Sequence, residues 1–194
     1  MVKTNSILPS IEEMDKRIAR FDRLLPTKRG FSPTAAKAYE LLAAQDVFLL
    51  LAPADHPRKG AKEAVEGLPG VEMGIVRCPP QTGPGLHNHQ RTYETFICLD
   101  GEFDVIWGEN ATFAVKLKPY DMISIPPNVF RAFKNVSDKD AHMFALIQGD
   151  AKDIMVDIVY LPTTRDEIVA RLGPDAEKEL EGIGITFGSD SDGK

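Results

Sequence analysis

Two histidines stand one residue apart at His87 and His89, and Glu94 follows five residues later, with Gly101 closing the stretch. On an extended strand, residues i and i+2 point to the same face, so the two imidazoles can aim at one point. Across the bend that follows, Glu94 can bring a carboxylate to that point. Two neutral imidazoles and one carboxylate form a borderline-to-hard donor set, suited to iron(II), zinc, nickel or manganese. A six-coordinate ion held by three such ligands keeps three positions open. This is the arrangement by which non-haem iron(II) oxygenases admit substrate and dioxygen, so iron(II) is the favoured ion. The competing reading is a polar patch that holds no metal.

Other chemistry is absent from the sequence. There is no phosphate-binding glycine loop, no nucleophile elbow and no Cys-x-x-Cys zinc pair. Cys78 and Cys98 make no disulfide framework, and both read as small buried residues; Cys98 shares strand parity with Glu94 and Phe96. His142 reads as a hairpin-end histidine, and His56, between Asp55 and Pro57, as a solvated one. Tyr93, Phe96, Phe103, Trp107 and Phe133 could wall a pocket, although aromatic residues at strand spacing usually form core. Arg77 and Gln81, leading into the histidine stretch, could turn inward.

The elements around this stretch alternate and turn like an all-β core. Strands are predicted over 47–51, 71–78, 95–99, 102–107, 112–117, 121–125, 129–134, 143–148 and 154–160. Asp100-Gly101 reads as a hairpin turn joining the third and fourth of these. Residues 54–70 read as a loop with one helical turn around 61–65. Short strands at close spacing argue for an antiparallel sandwich or barrel.

Helices flank this core. Ser10-Ile11-Glu12-Glu13 reads as a capping box. Ile11, Met14, Ile18, Phe21 and Leu25 then form one helical stripe, stopped by Pro26, which predicts a helix buried against the main domain. Ser32-Pro33 opens a second helix running to about Ala44. Thr164 to Glu167 reads as another capping box, Gly173-Pro174 ends its helix, and a short helix follows at 175–180. The resulting division is a helical extension at 1–45, the β-barrel at 46–161, helices at 162–187 and a disordered tail at 188–194.

Composition bounds the partners. The 194 residues include 23 basic and 29 acidic ones, for a net charge of −6, which disfavours nucleic acid. No apolar run reaches transmembrane length, the start lacks the apolar core of a signal peptide, and a cytoplasmic setting is expected.

The histidine stretch resembles the cupin family. His87, His89, Glu94 and Gly101 match every interval of the first cupin motif, with Gln81 at its early glycine. At the second motif's positions stand Tyr120, Pro126, Asn128, Arg131 and Asn135; the proline and final asparagine match, and asparagine can replace glycine in left-handed geometry. The resemblance covers roughly residues 70 to 160. It implies a double-stranded β-helix, or jelly-roll barrel, with a site in its mouth and a homodimer paired through sheets. It also implies that His87, His89 and Glu94 bind the metal.

Where the family carries its fourth ligand, a histidine, this chain has Arg131. A guanidinium has no lone pair to donate. A divalent cation about 4 Å from it would be repelled by roughly 8 kcal/mol at an effective dielectric near 20. Arg131 must lean away, be neutralised by an anion, or occupy a metal-free site, and its pairing with Glu94 is the bland outcome. The functional reading gives Arg131 the catalytic task of gripping the carboxylate or enolate of a substrate, with Tyr93, Phe96, Gln81 and Phe133 around it. These residues predict an iron(II)-type dioxygenase acting on a small anionic or enolisable acid. A lyase or isomerase using the same metal, and a non-catalytic metabolite-binding cupin, are the alternatives.

Overall fold

The computed structural model describes residues 6–43, 46–54, 56, 65–154 and 156–188. Its strands are β1 (Asp46–Ala52), β2 (Val65–Glu66), β3 (Val71–Cys78), β4 (His87–His89), β5 (Tyr93–Cys98), β6 (Phe103–Trp107), β7 (Phe113–Leu117), β8 (Met122–Ile125), β9 (Arg131–Asn135), β10 (Ala141–Gln148), β11 (Ile158–Tyr160) and β12 (Ile185–Phe187). Its α-helices are α1 (Ile11–Asp15), α2 (Pro33–Leu42), α3 (Pro162–Leu172) and α4 (Pro174–Glu181).

Two six-stranded sheets face one another, ordered β2-β1-β3-β10-β5-β8 and β12-β11-β4-β9-β6-β7. The pairings are antiparallel except β1 with β2 and β11 with β12. The fold is a jelly roll with helical extensions, as the alternating pattern predicts. The register along β3 buries every second residue, from Glu72 through Gly74 and Val76 to Cys78.

Asp100-Gly101 is not a hairpin turn. β5 pairs with β10 and β8, whereas β6 pairs with β7 and β9, so this turn carries the chain from one sheet to the other. Glycine is required there: φ is +69°, and a Cβ would come within 2.6 Å of Ala141 Cβ.

The N-terminal stripe also departs from expectation. The Ser10–Glu13 capping box forms, but α1 ends at Asp15 and a 3-10 turn follows at Phe21–Arg23. Ile11 is 85% exposed and Leu25 63%, so the stripe is not buried. A five-residue helix without a packed face gains little beyond its cap, and propagation stops. α2 forms as read: the Ser32 hydroxyl accepts from the Ala35 amide, Pro33 opens the helix, and Ala35, Ala38, Tyr39 and Leu42 are buried on one face. α3 begins at Pro162, before Thr164, and has no side-chain cap. The C-terminal segment adds a strand, β12, that the helical pattern concealed. The predicted turn at 61–65 and the tail beyond 188 lie largely outside the described residues.

Two core clusters result. One fills the barrel around Phe96, Phe103, Val105, Phe133 and Met143. The other joins Tyr39 and Leu42 of α2, Ile168 of α3, Leu180 of α4 and Ile185 of β12 to Ile147, Ile158 and Tyr160 of the sheets. The extensions therefore share apolar burial with the barrel, and bring side chains to its mouth.

Candidate metal centre

β4 is buried at all three residues, which turns His87 and His89 into the interior. His87 Nε2 and His89 Nε2 each lie 3.7 Å from Glu94 Oε2. One donor atom from each residue falls within 4.8 Å of the others.

The opposite ring nitrogens are anchored. His87 Nδ1 is 2.8 Å from the Gly85 carbonyl, which fixes it as the donor. His89 Nδ1 is 3.0 Å from Thr92 Oγ1, and that hydroxyl donates to Asp157 Oδ2 at 2.9 Å. The amides of Arg91 and Thr92 donate to the same Asp157 oxygen. With Nδ1 carrying the proton, each Nε2 lone pair faces Glu94, and such outer partners are what orient metal-binding imidazoles. Burial keeps His89 neutral by pushing its pKa down.

Arg131 is fully buried and donates from Nε to Glu94 Oε2 at 2.8 Å and from Nη1 to the Val129 carbonyl. Burial alone would raise the Glu94 pKa, but the Arg131 guanidinium holds it well below the carboxylate range. Burial likewise works against Asp157, yet its bonds from the His89 side and the backbone amides bring it down to about 2.

The site opens on a cavity of ≈ 80 Å³. His87, His89 and Glu94 form its polar end, and Val76, Ala145, Ile147 and Ile158 form apolar walls. Tyr39 and Ala43 close it from the α2 side and Ile185 from β12. Tyr160 stacks on His87 at 5.3 Å between ring centroids and donates to the Leu42 carbonyl. The Gly85 amide donates to that same carbonyl, which ties α2 to the loop ahead of the histidines.

These residues fit a divalent ion. Ligand atoms about 2.1 Å from a metal lie roughly 3.0 to 3.4 Å apart, so the two 3.7 Å histidine–Glu94 separations would contract by a few tenths of an ångström around one. Beside the two histidines, the carboxylates of Glu94 and Asp157 are buried together with the guanidinium of Arg131. Asp157 Oδ1 lies 3.4 Å from His89 Nδ1, on the ring edge opposite the Nε2 lone pair.

The residues predicted around Arg131 separate. Arg131 lies behind Glu94 and does not line the cavity, so the carboxylate grips it and a ligand in the cavity does not. Phe133 does line the cavity. Phe96 packs edge-on against Phe133 inside the barrel core, off the wall. Tyr93 begins β5 on the outward face and is half exposed. Gln81 is exposed in its loop, and its amide donates to the Asn135 carbonyl. Arg77 falls on the outward parity of β3 and pairs with Asp46. His142 pairs with Asp100 near the surface. Cys78 and Cys98 are buried, and burial pushes their thiols to about 12 and about 11.

His56 is a further correction. Its side chain is buried, with Nε2 2.8 Å from Glu72 Oε2, and Glu72 lines the cavity. The parity of β3 was the available signal for Glu72; nothing local marks His56.

A family model described as a cupin domain matches residues 74–147. That stretch holds both histidines, Glu94, Arg131 and Asn135, so the cupin signature lies over the candidate site. No curated protein matches it. Among solved structures, it is similar to the cupin domain of Cnp3 from Schizosaccharomyces pombe, at 16% identity over 57% of this chain and 70% of that one, with a TM-score of 0.42. It is also similar to KdgF from Halomonas sp., at 18% identity over 46% and 78% of the two chains, with a TM-score of 0.41. A sugar phosphate isomerase of the cupin superfamily from Silicibacter pomeroyi matches at 20% identity with a TM-score of 0.38. That match spans 42% of this chain and about half, 52%, of the other.

The cupin pattern explains three strained residues. Gln81, Tyr120 and Asn128 stand where the motifs carry glycine, and their φ angles are +63°, +75° and +63°. The cupin backbone path is kept although the residue that favours it is gone. Asn135, the motif's last residue, is fully buried; its amide donates to the Cys78 and Lys139 carbonyls, and its oxygen accepts from the Ser137 amide.

Proposed function

We propose that this cupin holds a divalent metal on His87, His89 and Glu94 and serves as an iron(II)-type dioxygenase for a small, enolisable or anionic organic acid. One observation carries this reading: both Nε2 lone pairs and the Glu94 carboxylate face one point on the wall of an apolar cavity. An iron(II) ion there would supply Lewis acidity and redox chemistry with dioxygen.

The chain's own residues supply the rest. The Gly85 carbonyl and the Thr92–Asp157 pair hold the imidazoles in their ligating tautomers. Arg131 keeps Glu94 ionised. Val76, Ala145, Ile147 and Ile158 exclude water, which strengthens the charge interactions of a bound acid. A lyase or isomerase would draw on the same donor set.

A second reading rests on the Arg131–Glu94 pair. A carboxylate already neutralised by a guanidinium suits a metal-free cupin that binds a metabolite without turning it over. Elemental analysis of protein purified without chelators separates the two. Stoichiometric metal, lost in His87→Ala, supports the metal centre. Protein that takes up no iron(II), zinc, nickel or manganese on incubation supports the second reading.

We further propose a homodimer. β7 and β8 end their sheets, and Phe113, Val115 and Met122 on them are exposed, which suits pairing with a second copy. Sedimentation equilibrium of the wild type and of Phe113→Lys tests it. Among the described residues, no helix is long and apolar enough to cross a membrane. A cytoplasmic setting is part of this proposal, and fractionation of cells expressing the native protein checks it.

A further inference from the structure

Glu72 on β3 and Glu94 on β5 are both register partners of Ile147 on β10. Directly opposed residues share a face, so both carboxylates enter one interior from Cα positions about two strand spacings, or roughly 10 Å, apart. Both line the cavity, and each is held by a partner that does not: Glu94 by Arg131, Glu72 by His56. The His56 and Glu72 side chains are only 4% and 6% exposed. Gly74, Ala145 and Ile147 line the space around them, and no lysine or arginine is among the lining residues.

We propose that Glu72, positioned by His56, is a second ligand-binding pole that accepts a hydrogen bond from the hydroxyl or amine at the far end of a small monocarboxylate. The inference rests on the metal reading above, since the ligand's carboxylate is held at the His87–His89–Glu94 end. A second carboxylate at the far end would meet the like charge of Glu72 with no lining cation to offset it. The volume of ≈ 80 Å³ holds about five to eight water-sized groups, which bounds the ligand to a comparable number of heavy atoms. Four-carbon acids meet both the span and the volume.

A purely structural role is the competing account, in which the pair only fastens the segment after β1 to the barrel. Zinc-loaded protein, inert to redox, is titrated calorimetrically with 4-hydroxybutyrate, butyrate and succinate. The hydroxy acid is expected to bind about tenfold tighter than succinate and several-fold tighter than butyrate. Glu72→Gln, which keeps the side-chain shape, should bring succinate to within about threefold of the hydroxy acid. Zinc stoichiometry and Tm should stay unchanged.

The proposal is overturned if the hydroxy acid does not bind, if wild type ranks succinate equal or first, or if Glu72→Gln preserves the ranking. Should Glu72→Gln fail to fold, the wild-type ranking alone decides. Failure of zinc to load overturns the metal reading and this one together; loading without discrimination overturns only this one.

Discussion

The two cupin motifs serve one site by opposite means. In the first, the chemistry-bearing side chains are kept: His87, His89 and Glu94 converge, and Gly101 holds the left-handed turn its position demands. In the second, the backbone is kept and the side chains are exchanged. Tyr120 and Asn128 hold positive φ without being glycine, and Arg131 replaces a donor with a charge that grips Glu94 from behind. The path of the chain and the ligand set are thus separable. Turn geometry is set by pairing across the sheets, whereas coordination depends on single residues.

Restoring the motif's histidine breaks the contrast most severely. Arg131→His removes the partner of a buried carboxylate, so the metal-free protein should lose about 3–5 kcal/mol. The same variant gains an imidazole beside the donor set, so zinc should bind it more tightly than wild type. Thermal melts with and without zinc test both halves. Equal zinc-free melts would mean that the Arg131–Glu94 pair contributes nothing.

Asn135, like Pro126, is a part of the second motif that kept its side chain. Asn135→Ala deletes three hydrogen bonds, one buried and two partly buried, and strands two carbonyls, for a loss of about 2–4 kcal/mol in urea unfolding. A loss below about 1 kcal/mol would show that water satisfies those groups.

The acid limb probes the outer partners of the first motif. The folded pKa of Asp157 is depressed to about 2. Its contribution is therefore complete above its unfolded value, near 3.9, and fades as pH falls through about 2. In metal-free protein this amounts to about 2 kcal/mol, and Asp157→Asn should flatten the stability profile between those values. An unchanged profile would assign the acid limb to other carboxylates.

The smallest effect belongs to the strained turns. Tyr120→Gly should raise stability by up to about 1 kcal/mol by relieving a left-handed φ, whereas Asn128→Gly should change it by a few tenths. Denaturant midpoints distinguish them; equal shifts would show that residue type does not set the strain.

Much of this was legible because strand alternation is local. β3, β5, β6, β7 and β8 fall within two residues of their predicted bounds. Pairing is not local: Asp100-Gly101 announces a turn but not which sheet receives the next strand. The apolar stripe from Ile11 to Leu25 has helical spacing, yet spacing does not supply a surface to cover it. At the site, spacing picked out the three side chains that converge and located Arg131, but the direction of that guanidinium depends on what lies behind Glu94. Tyr39, Tyr160 and Ile185 reach the cavity only through tertiary folding. His56 looked solvated because its partner, Glu72, is brought to it by the sheet.

The Leu42 carbonyl, which takes bonds from both Gly85 and Tyr160, bears on any attempt to trim this protein. The stretch that carries the family signature, 74–147, omits Tyr39, Ala43, Val47, Glu72, Ile158, Tyr160 and Ile185 from the chamber. Excised at those limits, the signature would leave its two imidazoles facing bulk solvent, with neither roof nor far wall. The smallest fragment worth engineering is therefore longer at both ends than the portion by which the family is recognised.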